Sequence, residues 1–114
     1  FIRMLLNHGE LNGYRFLNES TVKEMYSPHT QLEDEYGYNG YNLWVTSELV
    51  KEKGEGDEGL WRGGGYEGTH FWIDPKRDFV GVILSQMFES TKLGEGRDEK
   101  IVGEVYRQIF KNEN

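Results

Sequence analysis

Residues 61–84 read WRGGGYEGTHFWIDPKRDFVGVIL, and the reading of this stretch decides the fold. Two runs, residues 69–73 and 79–86, are rich in aromatic and β-branched side chains. They flank DPKRD, which places proline where a tight turn accepts it, so the pattern predicts two strands joined by a short turn. The second run is apolar on both faces, with Val80, Val82 and Leu84 on one and Phe79 and Ile83 on the other. That predicts a strand covered on both sides, in the middle of a layered sheet. Gly63, Gly64 and Gly65 stand directly before the pair. Glycine weakens a strand, so three in a row predict close approach of another backbone or of a ligand.

Working outward, FIRMLLNHG carries Phe1, Ile2, Leu5 and Leu6 at helical spacing, with Gly9 where a helix end takes a left-handed residue. Residues 11–17 predict a short arm or hairpin around Asn12 and Gly13. A second helix is expected over NESTVKEMYS, capped by Asn18 or Ser20, with Val22, Met25 and Tyr26 inward and Pro28 ending it. QLEDEYGYNG reads as an acidic connection, and residues 41–47 as a strand with Tyr41, Leu43 and Val45 on one face. ELVKEKGEGDEG reads as a charged loop in solvent. A last helix spans about residues 98–110, with Ile101, Val102, Val105 and Ile109 as its buried stripe and Tyr106 and Phe110 flanking it. The expected fold class is α+β: an antiparallel sheet of at least three strands covered by N- and C-terminal helices, in one segment over residues 1–114.

The chain has 114 residues, 16 of them aromatic, and a formal net charge of −7. The aromatics supply a core for one domain. The negative charge argues against a nucleic-acid partner. No apolar run reaches membrane-spanning length, and without cysteine there is no disulfide or thiol chemistry. Because Phe1 opens the chain in mid-helix, the sequence reads as a piece of something longer.

Several constellations invite a chemical reading. Ser20 and Lys23 spell Ser-x-x-Lys, the spacing that lets a lysine take a serine proton. Nothing around them forms an apolar pocket that would lower the lysine pKa, so a surface helix is the better account. His8, His29 and His70 share no metal-ligand spacing, and neither acidic run, residues 33–35 or 55–59, fits a calcium loop, so no metal and no cofactor is expected. Tyr36, Tyr38, Tyr41 and Trp44 cluster beside glycines, where they either pack in the sheet or stack on a sugar or peptide. The triple glycine lacks the Gly-Lys-Ser/Thr of a phosphate loop. A strand edge with bare N–H groups facing a cleft fits it better, since such an edge can receive a developing oxyanion.

GGGYEGTHFWIDPKRDFVGVILSQ resembles the third motif region of class C-like serine β-lactamases, a family that includes DD-peptidases and esterases. In that family a Lys, His or Trp, a small residue and a glycine open a strand, followed by GT, an aromatic pair, DP and an apolar strand. FIRMLLNHGELNGYRFLNESTVKEMY is similar to the family's helix–arm–helix segment, and the last helix to its C-terminal helix. The resemblance runs in order through nearly the whole chain. It implies a β-lactamase/transpeptidase-like fold, of which these residues are the C-terminal portion. It also implies that the nucleophilic Ser-x-x-Lys and the Tyr-x-Asn lie upstream, since no Tyr-x-Asn occurs here.

Carried over by position, Gly63, Gly64 and Gly65 stand at the third motif, and the backbone N–H of Tyr66 is the oxyanion-hole donor. Gly63 replaces the usual Lys, His or Trp. Arg62 is placed to offer charge to a substrate carboxylate, although strand alternation points it the other way, and Tyr66 and Glu67 line the rim. The implied activity is hydrolysis of an ester, peptide or β-lactam through an acyl-enzyme, in a parent of a kind often exported. The competing expectation is a binding or accessory module that grips peptide or glycan with its aromatic and glycine surface. Loss of covering helices around residues 79–86 further predicts exposed apolar surface, and with it dimerisation or strand exchange.

Overall fold

The structure, a computed structural model, describes residues 1–31, 36–65, 68–86 and 96–113. Helix α1 (Ile2–Leu6) buries Met4 and Leu5. It closes with the His8 N–H on the Leu5 carbonyl (3.0 Å) and the Gly9 N–H on the Met4 carbonyl (2.9 Å). This is a paired C-terminal cap. The residue in the left-handed position is His8 (φ 59°), one place before the glycine expected there. Gly9 answers a second demand, because a Cβ on it would lie 2.1 Å from the Leu17 carbonyl oxygen. Strands β1 (Glu10–Leu11) and β2 (Tyr14–Arg15) form the expected hairpin. Asn12 (φ 53°) and Gly13 (φ 79°) supply the two positive φ values its turn needs. Helix α2 (Glu19–Met25) then buries Val22.

The remaining strands are β3 (Thr30–Gln31), β4 (Gly37–Asn39), β5 (Trp44–Thr46), β6 (Trp61–Gly64), β7 (His70–Asp74) and β8 (Phe79–Ile83). They form one six-stranded antiparallel sheet in sequence order. Helix α3 (Glu48–Glu52) lies between β5 and β6, and α4 (Arg97–Ile109) closes the chain. The α+β class is therefore correct. The β7–β8 turn is built as its residues dictate: the Asp74 carboxylate accepts the N–H groups of Lys76 (3.1 Å) and Arg77 (3.2 Å) around Pro75.

The sheet carries apolar clusters on its two faces. Met4, Leu5, Val22, Leu43, Val45, Trp61 and Ile73 form one with α1 and α2. Tyr26 stacks on Trp61 there, with ring centroids 4.4 Å apart. Leu60, Trp72, Val102 and Tyr106 form the other under α4, joined by Phe79 and Ile83. Each fully buried leucine or isoleucine contributes about 1.5–3 kcal/mol.

Several expectations are corrected. The acidic connection is flanked by β3 and β4, which pair as a hairpin, while residues 32–35 lie outside the described residues. The strand expected from Tyr41 begins only at Trp44, because Asn42 turns the chain at φ 55° and leaves Tyr41 exposed. The supposed solvent loop contains α3 and buries Val50 and Asp57. Strand β8 is an edge of the sheet, with Val82 52% and Leu84 80% exposed. On α4 the buried residues are Arg97, Val102, Gly103 and Tyr106, and Ile101 and Ile109 face outward. The stripe is rotated because Gly103 lets the helix rest on the turn that follows α3: a Cβ there would be 2.0 Å from the Gly54 carbonyl oxygen.

Candidate functional site

Strand β7 follows β6 as far as Gly64, but β5 pairs with β6 only through Trp44↔Arg62 and Val45↔Trp61. Past Arg62, the β5 side of the Gly63 and Gly64 backbone has no ladder partner among the described residues. The β5–β6 ladder thus ends before the glycines. The glycines have separate causes. The ring of Phe71, paired across the ladder, lies where a Gly63 side chain would be, 2.5 Å from an ideal Cβ. Gly65 turns the chain toward β7, its N–H already held by the Thr69 carbonyl at 2.7 Å. Tyr66 and Glu67, expected as oxyanion donor and rim, lie outside the described residues.

Alternation along β6 puts Arg62 on the α4 face, away from the Phe71 side of Gly63. Arg62 is 1% exposed. Its guanidinium lies over the Trp44 ring (5.5 Å to the centroid), and its Nε–H donates to His70 Nε2 at 3.1 Å. That bond fixes the neutral His70 tautomer with its proton on Nδ1, 3.9 Å from an Asp98 carboxylate oxygen. Burial, then the Arg62 charge, push the His70 pKa below its ordinary value, against the pull of Asp98 and Glu99. With Nε2 occupied by Arg62, His70 is not free to act as a base toward Ser85, whose Oγ accepts from Arg97 at 3.1 Å.

The rest of the Arg62 head is unpaired. Among the described residues neither Nη1 nor Nη2 has a hydrogen-bond partner, and the same holds for the buried Nε1 of Trp44. Burial lowers the Arg62 pKa, with Glu99, Asp98 and Glu55 opposing it, yet an arginine stays charged. A buried donor left without an acceptor costs about 1–3 kcal/mol, and more when charged. Both side chains line a cavity of about 300 Å³ whose other walls include Tyr36, Val50, Glu55 and Glu99.

The other sequence candidates do not join this site. Ser20 and Lys23 are both exposed on α2. His8 caps α1, and His29 stacks on Tyr41 with ring centroids 3.9 Å apart. Among the described residues no group of three His, Cys, Asp or Glu side chains could hold a metal ion, and no helix is long and apolar enough to cross a membrane. Sequence reasoning weighed Arg62, Trp44, His70 and the acidic run that holds Glu55 separately, without bringing them together, and passed over Glu99. The available signal was a charged residue at an inward position of an apolar strand, which demands partners. No family model matches this chain, and no curated protein matches it.

Proposed function

We propose that this chain is the C-terminal part of a β-lactamase-like serine hydrolase, contributing one wall of the substrate cleft. The observation that carries the reading is the early end of the β5–β6 ladder, which leaves the Gly63 and Gly64 edge bare. A small ester, amide or peptide carbonyl can approach a side-chain-free edge closely. A serine supplied from outside these residues attacks the carbonyl carbon. The carbonyl π pair moves onto oxygen, and N–H groups at the end of β6, with Tyr66 first by resemblance, hold that oxyanion. Expulsion of the leaving group gives an acyl-enzyme, which water cleaves to the acid. Removing the nucleophile of a serine hydrolase costs on the order of 10⁶ in kcat, so these 114 residues alone are expected to be inert.

The test is turnover of p-nitrophenyl acetate and a chromogenic cephalosporin, with fluorophosphonate labelling, on the purified chain and its Ser20→Ala variant. Absence of both turnover and label is expected here. Labelling lost in Ser20→Ala would transfer the chemistry to α2 and sink this reading.

A second reading, a binding module for peptide or glycan, draws on the exposed Tyr41 and its stacked partner His29. Oligosaccharide or peptide binding that disappears in Tyr41→Ala and survives Gly64→Val would favour it. We also propose that the chain self-associates through β8, whose outer edge pairs with no described strand and whose Val82 and Leu84 are exposed.

A further inference from the structure

The chain holds two Asn-Gly pairs, Asn12-Gly13 and Asn39-Gly40, and the fold treats them differently. In such a pair the asparagine side chain is open to attack by the next backbone nitrogen, because glycine puts no Cβ beside it. The first pair is the tip of the β1–β2 hairpin. Both residues are exposed, with φ of 53° and 79°, and no atom lies within 4 Å of where a Gly13 Cβ would stand. Among the described residues the Gly13 N–H donates to no backbone carbonyl.

The second pair is held on several sides. Asn39 lies in β4, paired with Thr30 on one flank and Trp44 on the other, and its carbonyl accepts the His29 N–H at 3.0 Å. The Gly40 nitrogen, the atom that would attack, donates its proton to the Leu43 carbonyl at 2.8 Å. A Cβ on Gly40 would lie 1.8 Å from the Met25 carbonyl oxygen, so this backbone is packed against the end of α2.

We propose that Asn12 is a site of self-catalysed covalent modification, deamidation to aspartate and isoaspartate, from which the fold shields Asn39. The Gly13 nitrogen loses its proton to base and attacks the Asn12 Cγ, forming the N–Cγ bond of a cyclic imide. The Cγ–Nδ2 bond breaks, and the side-chain nitrogen leaves as ammonia. Water then opens the ring at either carbonyl, so the net change is asparagine plus water to an acid plus ammonia. Ring closure requires the backbone at Asn12 to rotate out of the turn. Each strand of this hairpin has two residues, and neither strand belongs to the six-stranded sheet. So short a ribbon opens at little cost, whereas freeing Asn39 means parting β4 from both neighbours. The aspartyl product still suits a left-handed position, while the isoaspartyl product adds a carbon to the main chain and breaks the Leu11↔Tyr14 register. None of this depends on the acyl-transfer reading.

The experiment incubates the intact chain in mildly alkaline buffer, native and in urea, and follows tryptic peptides 4–15 and 24–51 by mass spectrometry. Each converted asparagine gains the mass difference between O and NH, fragmentation locates it, and an isoaspartyl methyltransferase labels the isoaspartate. In the native chain, conversion at Asn12 is expected to run at least about tenfold faster than at Asn39. In urea, where neither pair is folded, the two rates are expected to converge. Asn12→Gly keeps a residue that accepts the turn and removes the reacting amide, so conversion within residues 4–15 should disappear. Equal native rates at the two sites, no native conversion at Asn12, or conversion within residues 4–15 that survives Asn12→Gly would each overturn the proposal.

Discussion

At Arg77 one guanidinium meets carboxylates from three parts of the chain. Nη1 lies 2.7 Å from Asp57 and 2.8 Å from Asp74, and Nε lies 2.5 Å from Glu113. The group also lies over the rings of Tyr106 and Phe110. Burial raises the Asp57 carboxyl, but contact with Arg77, the Glu58 N–H and Lys51 outweigh it and hold it below its ordinary value. Its contribution is therefore present at neutral pH and lost as pH falls through that lowered value. Arg77→Met removes the cation and leaves two nearly buried carboxylates facing each other. A loss of about 3–5 kcal/mol at pH 7 is expected. In the variant, protonation relieves the repulsion, so its stability should rise on acidification; urea denaturation at pH 7 and pH 5 reads both effects. His70 gives a separate signature. Its folded pKa is depressed, so below the ordinary value of 6.5 the unfolded chain takes up a proton that the folded chain refuses. Stability should fall as pH drops from there, and His70→Gln, which keeps an acceptor for Arg62, should remove that part of the slope in the same denaturation series.

At the scale of elements, α4 sets helix propensity against packing. Replacing a helical glycine by alanine ordinarily gains about 1 kcal/mol. At Gly103 the new Cβ would meet a backbone oxygen of Gly54 at 2.0 Å, and backbone cannot swing aside as a side chain can. The clash wins: Gly103→Ala should destabilise by about 1–3 kcal/mol in urea denaturation, with α4 lifted from the turn that follows α3. The same contact explains why the periodicity of α4 revealed the helix but not its face. Ile101 and Ile109 satisfy an apolar stripe on paper, while the small residue decides which side can dock. Turn chemistry was legible wherever a residue type enforces it, as at Asn12–Gly13 and around Pro75. Helix α3 was not, because five residues of Glu, Leu, Val and Lys read as charged loop and Val50 is the one it buries fully. The candidate site was half legible for a related reason. Arg62 stands out in a strand, but Trp44, Glu55, His70 and Glu99 come from four other segments that only the folded sheet brings together.

For the molecule as a whole, the open question is the outer edge of β8. Strand edges are ordinarily blunted by a charge, a proline or a bulge, and FVGVI has neither charge nor proline. Its outward backbone groups lie beside exposed Val82, and Leu84 follows directly. On the flank of α4, Ile101 and Ile109 add further exposed apolar area, with Ile109 at 59%. Antiparallel pairing of two such edges is isologous: each copy offers the strand that the other needs, and the contact closes at two. A second copy is therefore the occupant that requires no other surface to evolve alongside it. Sedimentation velocity at increasing concentration should show a monomer–dimer equilibrium, accompanied by loss of binding of an apolar-surface dye. Val82→Lys puts a charge at the centre of the pairing and touches neither the glycine edge nor the Arg62 cavity, so it should give a folded monomer. A wild-type chain that stays monomeric at high concentration and binds no dye would mean that this edge is covered within the chain, and self-association would fall.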